Sequence, residues 1–116
     1  MPYPESPPRR GEIYWVDFSP ARGSEQAGRR PAVVISLDSF NSHMPVVVVA
    51  AITTKIKSFS FTVDLPEGQP LEEHSQILAF QVTTIDQSRL DGYLGALDAQ
   101  QVVDLKNALR TAWGIQ

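Results

Sequence analysis

Apolar residues fall along the chain in short runs that predict strands before they predict anything else. Ile13 to Phe18 is rich in aromatic and β-branched residues and reads as a strand, and Ala32 to Leu37 and Val46 to Thr53 are near-continuous apolar runs of strand length. Runs of this kind suit strands buried on both faces. Ser58 to Val63 alternates Ser-Phe-Ser-Phe-Thr-Val, which sets Phe59, Phe61 and Val63 on one face and predicts a half-buried strand. Leu65 to Glu73 holds Pro66, Gly68 and Pro70 and predicts a loop, after which Gln76 to Val82 resumes as a strand. The period then changes: Asp98 is a candidate N-cap with Gln101 three residues on, and Val102, Leu105, Leu109 and Ala112 recur at helical spacing. Short strands closed by one amphipathic C-terminal helix predict an α+β domain on a partly open antiparallel sheet or barrel.

Length and composition narrow the class. With 116 residues the chain suits one domain, and its 42% hydrophobic and 20% charged residues are close to globular averages. Met1 to Arg10 contains four prolines, which disfavours regular structure, so a flexible proline-rich arm (1–10) is expected ahead of a single domain (11–116). No apolar run reaches the ~18 residues of a membrane span, and the first ten residues hold no apolar stretch suited to a signal peptide, so a soluble, cytoplasmic protein with no membrane partner is expected. The absence of cysteine removes disulfides, thiolate metal sites and a Cys nucleophile.

The net charge of −3 argues against a general phosphate-coating binder, yet the total hides an asymmetry. Through Lys57 seven cations stand against five carboxylates, a local +2 that leaves −5 for the remainder, so the first half could attract a phosphate. His43 and His74 have no metal-ligand spacing and read as surface residues, and no Walker loop, dinucleotide fingerprint or nucleophile elbow is present. Neither a metal nor a cofactor is expected. A catalyst built from this chain must use Arg, Ser, Thr, Glu or Gln.

Such residues concentrate between two predicted strands. Gly11 to Ile35 reads GEIYWVDFSPARGSEQAGRRPAVVI, in which a loop of roughly ten residues carries Arg22, Ser24, Glu25 and Gln26, longer than a tight hairpin needs. Together with VVVVAAIT at Val46 to Thr53 and TIDQSRL at Thr84 to Leu90, in that order, this stretch resembles the MazF/PemK family of bacterial toxins. The similarity runs from about Arg10 to Trp113. It implies an SH3-like, partly open barrel with added helices. It also implies a ribosome-independent endoribonuclease that cuts single-stranded RNA at a short sequence, acts as a homodimer, is neutralised by a cognate antitoxin and meets DNA only through that antitoxin.

The residues themselves are compatible with such chemistry. RNA supplies its own nucleophile, the 2′-hydroxyl, so a protein need only align it, move protons and stabilise charge on phosphorus. The planar guanidinium of Arg30 could grip two phosphate oxygens, and the Thr53 hydroxyl, at the end of an apolar strand, could bond the scissile phosphate or the leaving 5′-oxygen. By resemblance these two match the family's principal catalytic positions. Glu25 is a candidate proton acceptor, although a carboxylate of pKa ~4 is a weak base at neutral pH unless burial raises it.

Ser24, Gln26, Arg29, Lys55, Lys57 and Gln81 are the candidate RNA-binding residues, with Lys55 and Lys57 on the same side as Thr53 if the segment stays extended. The bland alternatives are a surface ion pair between Arg30 and Glu25, an ordinary strand threonine and solvated loop residues. Two departures from the family pattern stand out. Arg29 replaces a residue that is small or apolar in many relatives, and Phe80-Gln81-Val82-Thr83 occupies the place of a Glu-Gln-x-Arg pattern. Phe80 is expected to be buried, with a base-stacking face as the alternative. Two other functions remain open: a gyrase poison of the CcdB type, which shares the fold and cleaves nothing, and a barrel that binds RNA without cutting it.

Overall fold

A computed structural model describes residues 6–18, 28–56 and 60–114. Six strands run as β1 (Glu12–Asp17), β2 (Arg29–Val34), β3 (Val46–Thr53), β4 (Thr62–Leu65), β5 (Ser75–Asp86) and β6 (Leu90–Ala96). A short helix α1 (Asp38–His43) separates β2 from β3, and α2 (Ala99–Trp113) ends the described chain. The strands form one antiparallel sheet in the order β4-β5-β3-β2-β1-β6. The α+β expectation is met.

Alternation divides the apolar residues between the two faces of this sheet. One face carries Ile13, Val33, Ala50, Ile52, Val63, Leu65 and Ile77, and is packed by Leu105, Val102, Ala108 and Leu109 of α2. The other carries Val16, Ala32, Val34, Val47, Val49 and Ile85, flanked by Tyr14, Phe18 and Leu90. The central strands are therefore buried on both faces, as their unbroken apolar runs predict. The helix begins on the expected device: the Asp98 carboxylate accepts the Gln101 amide at 2.8 Å while the Gln101 side chain accepts the Asp98 amide at 2.9 Å. It ends at Gly114, whose φ of 67° suits a residue without Cβ and whose amide donates to the Arg110 carbonyl at 2.8 Å.

Three expectations need correction, and two elements were not expected. The strand read over Ser58 to Val63 begins only at Thr62, and its buried positions are Val63 and Leu65. Phe61 has a φ of 68° and is 43% exposed, so it lies outside the strand's apolar face, while Ser58 and Phe59 lie outside the described residues. The strand read as Gln76 to Val82 extends through Asp86, since Thr83 to Asp86 pair with Val46 to Val49. Neither α1 nor β6 is legible beforehand, because DSFNSH has no apolar period and Asp91, Gly92 and Gly95 interrupt any alternation in β6. Finally, the proline-rich arm does not stand wholly apart from the domain: Pro8 is fully buried and its carbonyl accepts the Asn41 side-chain amide at 2.9 Å. No helix among the described residues is long and apolar enough to cross a membrane.

Candidate functional site

At one end of the sheet β2 begins, β3 ends and β5 begins, and the register gathers polar residues there. Arg30 pairs with Val16 on β1, which fixes it on the face of Ala32 and Val34. The β2–β3 register, Ala32 with Ala51, continued by two residues sets Arg30 opposite Thr53. Thr53 pairs with Gln76 on β5, and Gln76 with Asp64 on β4. Directly opposed residues share a face, so Thr53, Gln76 and Asp64 form one row across β3, β5 and β4, and Arg30, at a point where β2 is not paired with β3, lies on the same face toward Thr53. His74, just before β5, adds its Nε2 to the Asp64 carboxylate.

Each of these residues has a distinct condition. Thr53 is 8% exposed, and its Oγ1 accepts the Lys55 amide at 3.0 Å. A hydroxyl that accepts in this way keeps its own proton to donate, so Thr53 can still bond an anionic oxygen. Gln76 is buried and bonded. The guanidinium of Arg30 is half-buried and has no hydrogen-bond or ion-pair partner among the described residues. A half-buried cation in that state beside a hydroxyl donor is suited to receive a phosphate.

Arg29, next in sequence, differs in every respect. Adjacent strand residues point to opposite faces, and Arg29 reaches Asp91 on β6, with Nε 2.7 Å from Oδ2 and Nη2 donating to the Asp91 carbonyl at 2.9 Å. Its guanidinium carbon lies 4.9 Å from the Trp15 ring centroid. Arg89, from the TIDQSRL stretch, donates to the Asp17 carbonyl at 3.1 Å at the same end of β1.

The remaining candidates are scattered. Gln81 is exposed and lies in a wide irregularity where Leu78 to Gln81 stand opposite Ala51 alone. Lys55 is exposed, but the chain turns after Thr53 through the Lys55 amide bond, so an extended run carrying Thr53 and Lys55 to one side does not form. Phe80 is half-buried, short of the expected burial. His43 and His74 are exposed, as read from the sequence. Ser24, Glu25, Gln26 and Lys57 lie outside the described residues.

Sequence reasoning missed Gln76 and Asp64 as neighbours of Thr53, and Trp15 and Asp91 as partners of Arg29. Only strand register could have found them. Two titrating groups are displaced elsewhere in the sheet: burial, then the bond to the Glu12 carboxylate at 2.9 Å, pushes the Tyr14 phenol up, while hydrogen bonds from the Ser88 hydroxyl and amide hold the Asp86 carboxyl below the usual range.

Residues 9–113 match the family model described as PemK-like, MazF-like toxin of type II toxin-antitoxin system. An endoribonuclease MazF of Staphylococcus epidermidis is 37% identical over 110 residues, covering 92% of each chain. Among solved structures, MazF from Deinococcus radiodurans superposes with a TM-score of 0.78 at 28% identity, over 94% of this chain and 98% of the other. A mycobacterial endoribonuclease in complex with its cognate antitoxin gives a TM-score of 0.81 at 26% identity, over 94% and 97%.

Proposed function

The chain belongs to the PemK-like, MazF-like family of type II toxins, and from that premise we propose that it is an endoribonuclease that cleaves single-stranded mRNA at a short sequence and is neutralised by a cognate antitoxin. What supports this reading is that Arg30 and Thr53, the two positions the family motif assigns to catalysis, fall on one sheet face when the β2–β3 register is continued by two residues.

The step needs no metal. The ribose 2′-oxygen attacks phosphorus, the 2′-O–P bond forms as the P–O5′ bond breaks, the 2′ proton leaves to a base, and the 5′-oxygen takes a proton. A 2′,3′-cyclic phosphate and a 5′-hydroxyl result. Arg30 neutralises the charge that builds on the phosphoryl oxygens, and the Thr53 hydroxyl donates to one of them. Glu25 is our candidate proton acceptor, and Ser24 and Gln26 position the strand of RNA.

Several finer readings accompany this. A groove of about 690 Å³ beside α2 has an apolar floor of Ile35, Leu37, Val82, Leu109 and Trp113 rimmed by Arg10, Lys106 and Arg110, and Leu37 and Trp113 are 56% and 49% exposed, which supports a homodimer. Pro70 of the β4–β5 loop packs on Gly95 of β6, where a Cβ would lie 3.2 Å away, and Gln101 donates to the Gln69 carbonyl at 2.8 Å. That approach of the two sheet edges supports the SH3-like barrel. We read residues 11–116 as one toxin domain in the cytoplasm, preceded by the proline-rich arm. An acidic antitoxin tail lying over the RNA groove would exclude RNA, and the solved antitoxin complex of the mycobacterial relative supports that partner.

The test is a gel of long single-stranded RNA incubated with wild type, Arg30→Ala and Thr53→Ala in excess EDTA. Discrete fragments from wild type alone are expected. Intact RNA in every lane, with folded protein, would favour a gyrase poison or a noncatalytic RNA binder; fragments in all three lanes would mean a different site.

A further inference from the structure

The start of β2 is paired with a neighbouring strand on one side only. Pro31 has no N–H to give to either neighbouring strand, and the β2–β3 pairing begins only at Ala32. Arg30 therefore emerges from a strand end paired through β1 alone, one residue after the loop.

On the opposite face, side chains tie this strand end across β1 to β6, the side away from β3. In the order β2-β1-β6, Arg29 on β2 extends over Trp15 on β1, 4.9 Å from its ring centroid, and closes on Asp91 of β6 with two contacts of 2.7 and 2.9 Å. The β1–β6 ladder is irregular at that point: Tyr14 pairs with Tyr93 and Val16 with Leu90, so Asp91 and Gly92 stand opposite Trp15 alone. A bulge re-aims the side chains it carries, and here it turns Asp91 toward Arg29. Gly92 adopts a φ of 130°, and a Cβ there would lie 3.5 Å from Trp15 Cδ1 and 3.6 Å from Arg29 Nη2. A side chain at position 92 would strain the bulge through its positive φ, while its Cβ would meet the clamp at ordinary contact distance.

We propose that Arg29, Trp15 and Asp91 form a three-strand clamp whose task is positioning: it fixes the first residues of β2 and so the direction in which Arg30 leaves the other face. Arg29 is then a positioning residue, with no contact to RNA. The proposal rests on the ribonuclease reading for its catalytic consequence, while the clamp itself can be observed without activity.

The experiment compares Arg29→Ala, Asp91→Ala and the double variant with wild type, by RNA cleavage kinetics and by hydrogen exchange of the backbone from Arg29 to Val34. The clamp predicts that each single variant lowers kcat ~10-fold, as misplacement of a catalytic group does. It predicts KM within ~2-fold of wild type, because no phosphate contact is lost, and a double variant no worse than the singles, because both break one device. Exchange over residues 29–34 should rise in all three. If Arg29→Ala instead raised KM and flattened the salt dependence while Asp91→Ala tightened RNA binding, Arg29 would be an RNA contact and the clamp would be overturned. Unchanged exchange and unchanged kcat in folded variants would overturn it equally. Faster exchange in the variants of a wild type that cuts no RNA would uphold the clamp and remove the ribonuclease reading.

Discussion

The two ends of the sheet hold polar residues in opposite ways. At the α1–β3 corner, Asn41 and Gln87 are 2% and 3% exposed and fully engaged. Asn41 Nδ2 donates to the carbonyls of Pro8 and Ser36, while Gln87 Nε2 faces those of Asn41, Met44 and Val46 at 2.7 to 3.2 Å. At the other end Arg30 is half-buried with no partner among the described residues, and Thr53 keeps a hydroxyl proton uncommitted. Buried amides that satisfy carbonyls hold a chain in place; a half-buried cation with nothing to neutralise is ready for a ligand. The difference separates polar groups that are bonded within the fold from polar groups that are open to a ligand among the described residues.

The sharpest way to break this contrast is to exchange its consequences. Arg30→Ala should lower kcat by ~10²-fold or more, the loss expected on removing a charge-stabilising group, with the thermal midpoint little moved because Arg30 has no bond to another described residue. Arg30→Lys should restore little, since an ammonium cannot copy the fork. Loss of folding in Arg30→Ala, seen by circular dichroism, would make Arg30 structural after all.

Gln87→Ala should do the reverse. Leaving buried carbonyls without a donor costs about 2 kcal/mol, which denaturant unfolding would register, while kcat of the protein that remains folded should hold. A smaller effect is expected at Thr53: Ala should lower kcat ~10-fold, in the range of one lost charge-assisted hydrogen bond, and Ser, which keeps the hydroxyl, should recover most of it. Equal rates for Ala and Ser would leave only the β-branched methyl to matter.

The smallest expected effect lies at Asp86, which caps the turn after β5. Its carboxyl is held below the ordinary range by Ser88, so the stabilisation is present above the unfolded pKa near ~4 and is lost as pH falls through the lower folded value. Asp86→Asn should flatten this acid-side slope in unfolding measured from pH 5 down to 2. An unchanged slope would mean that Ser88 does not discriminate between the charged and neutral forms.

Much of this molecule was legible in the residues. The apolar run Val46 to Thr53 is a strand with those bounds, and Asp98 with Gln101 forms the predicted capping box. Arg30 and Thr53 were legible through motifs that span strand ends. The hexapeptide of α1 and the glycine-interrupted β6 were not, because neither carries a period that reports burial. Trp15 and Asp91 as partners of Arg29, and Gln76 as partner of Thr53, lie far apart in sequence and share no local pattern.

The sequence by itself determined which runs are buried on both faces, where the C-terminal helix begins, and which family the loop resembles. These are properties of neighbours along the chain: side-chain period, capping and turn chemistry act over a few residues. Only the tertiary structure decided which row Arg30 lies toward, which face Arg29 leaves and where Asp91 points. Those depend on strand register, and here register is set by irregularities in which four residues of β5 face one of β3 and two of β6 face one of β1. No single strand contains that information, because a bulge is defined by the partner it fails to match.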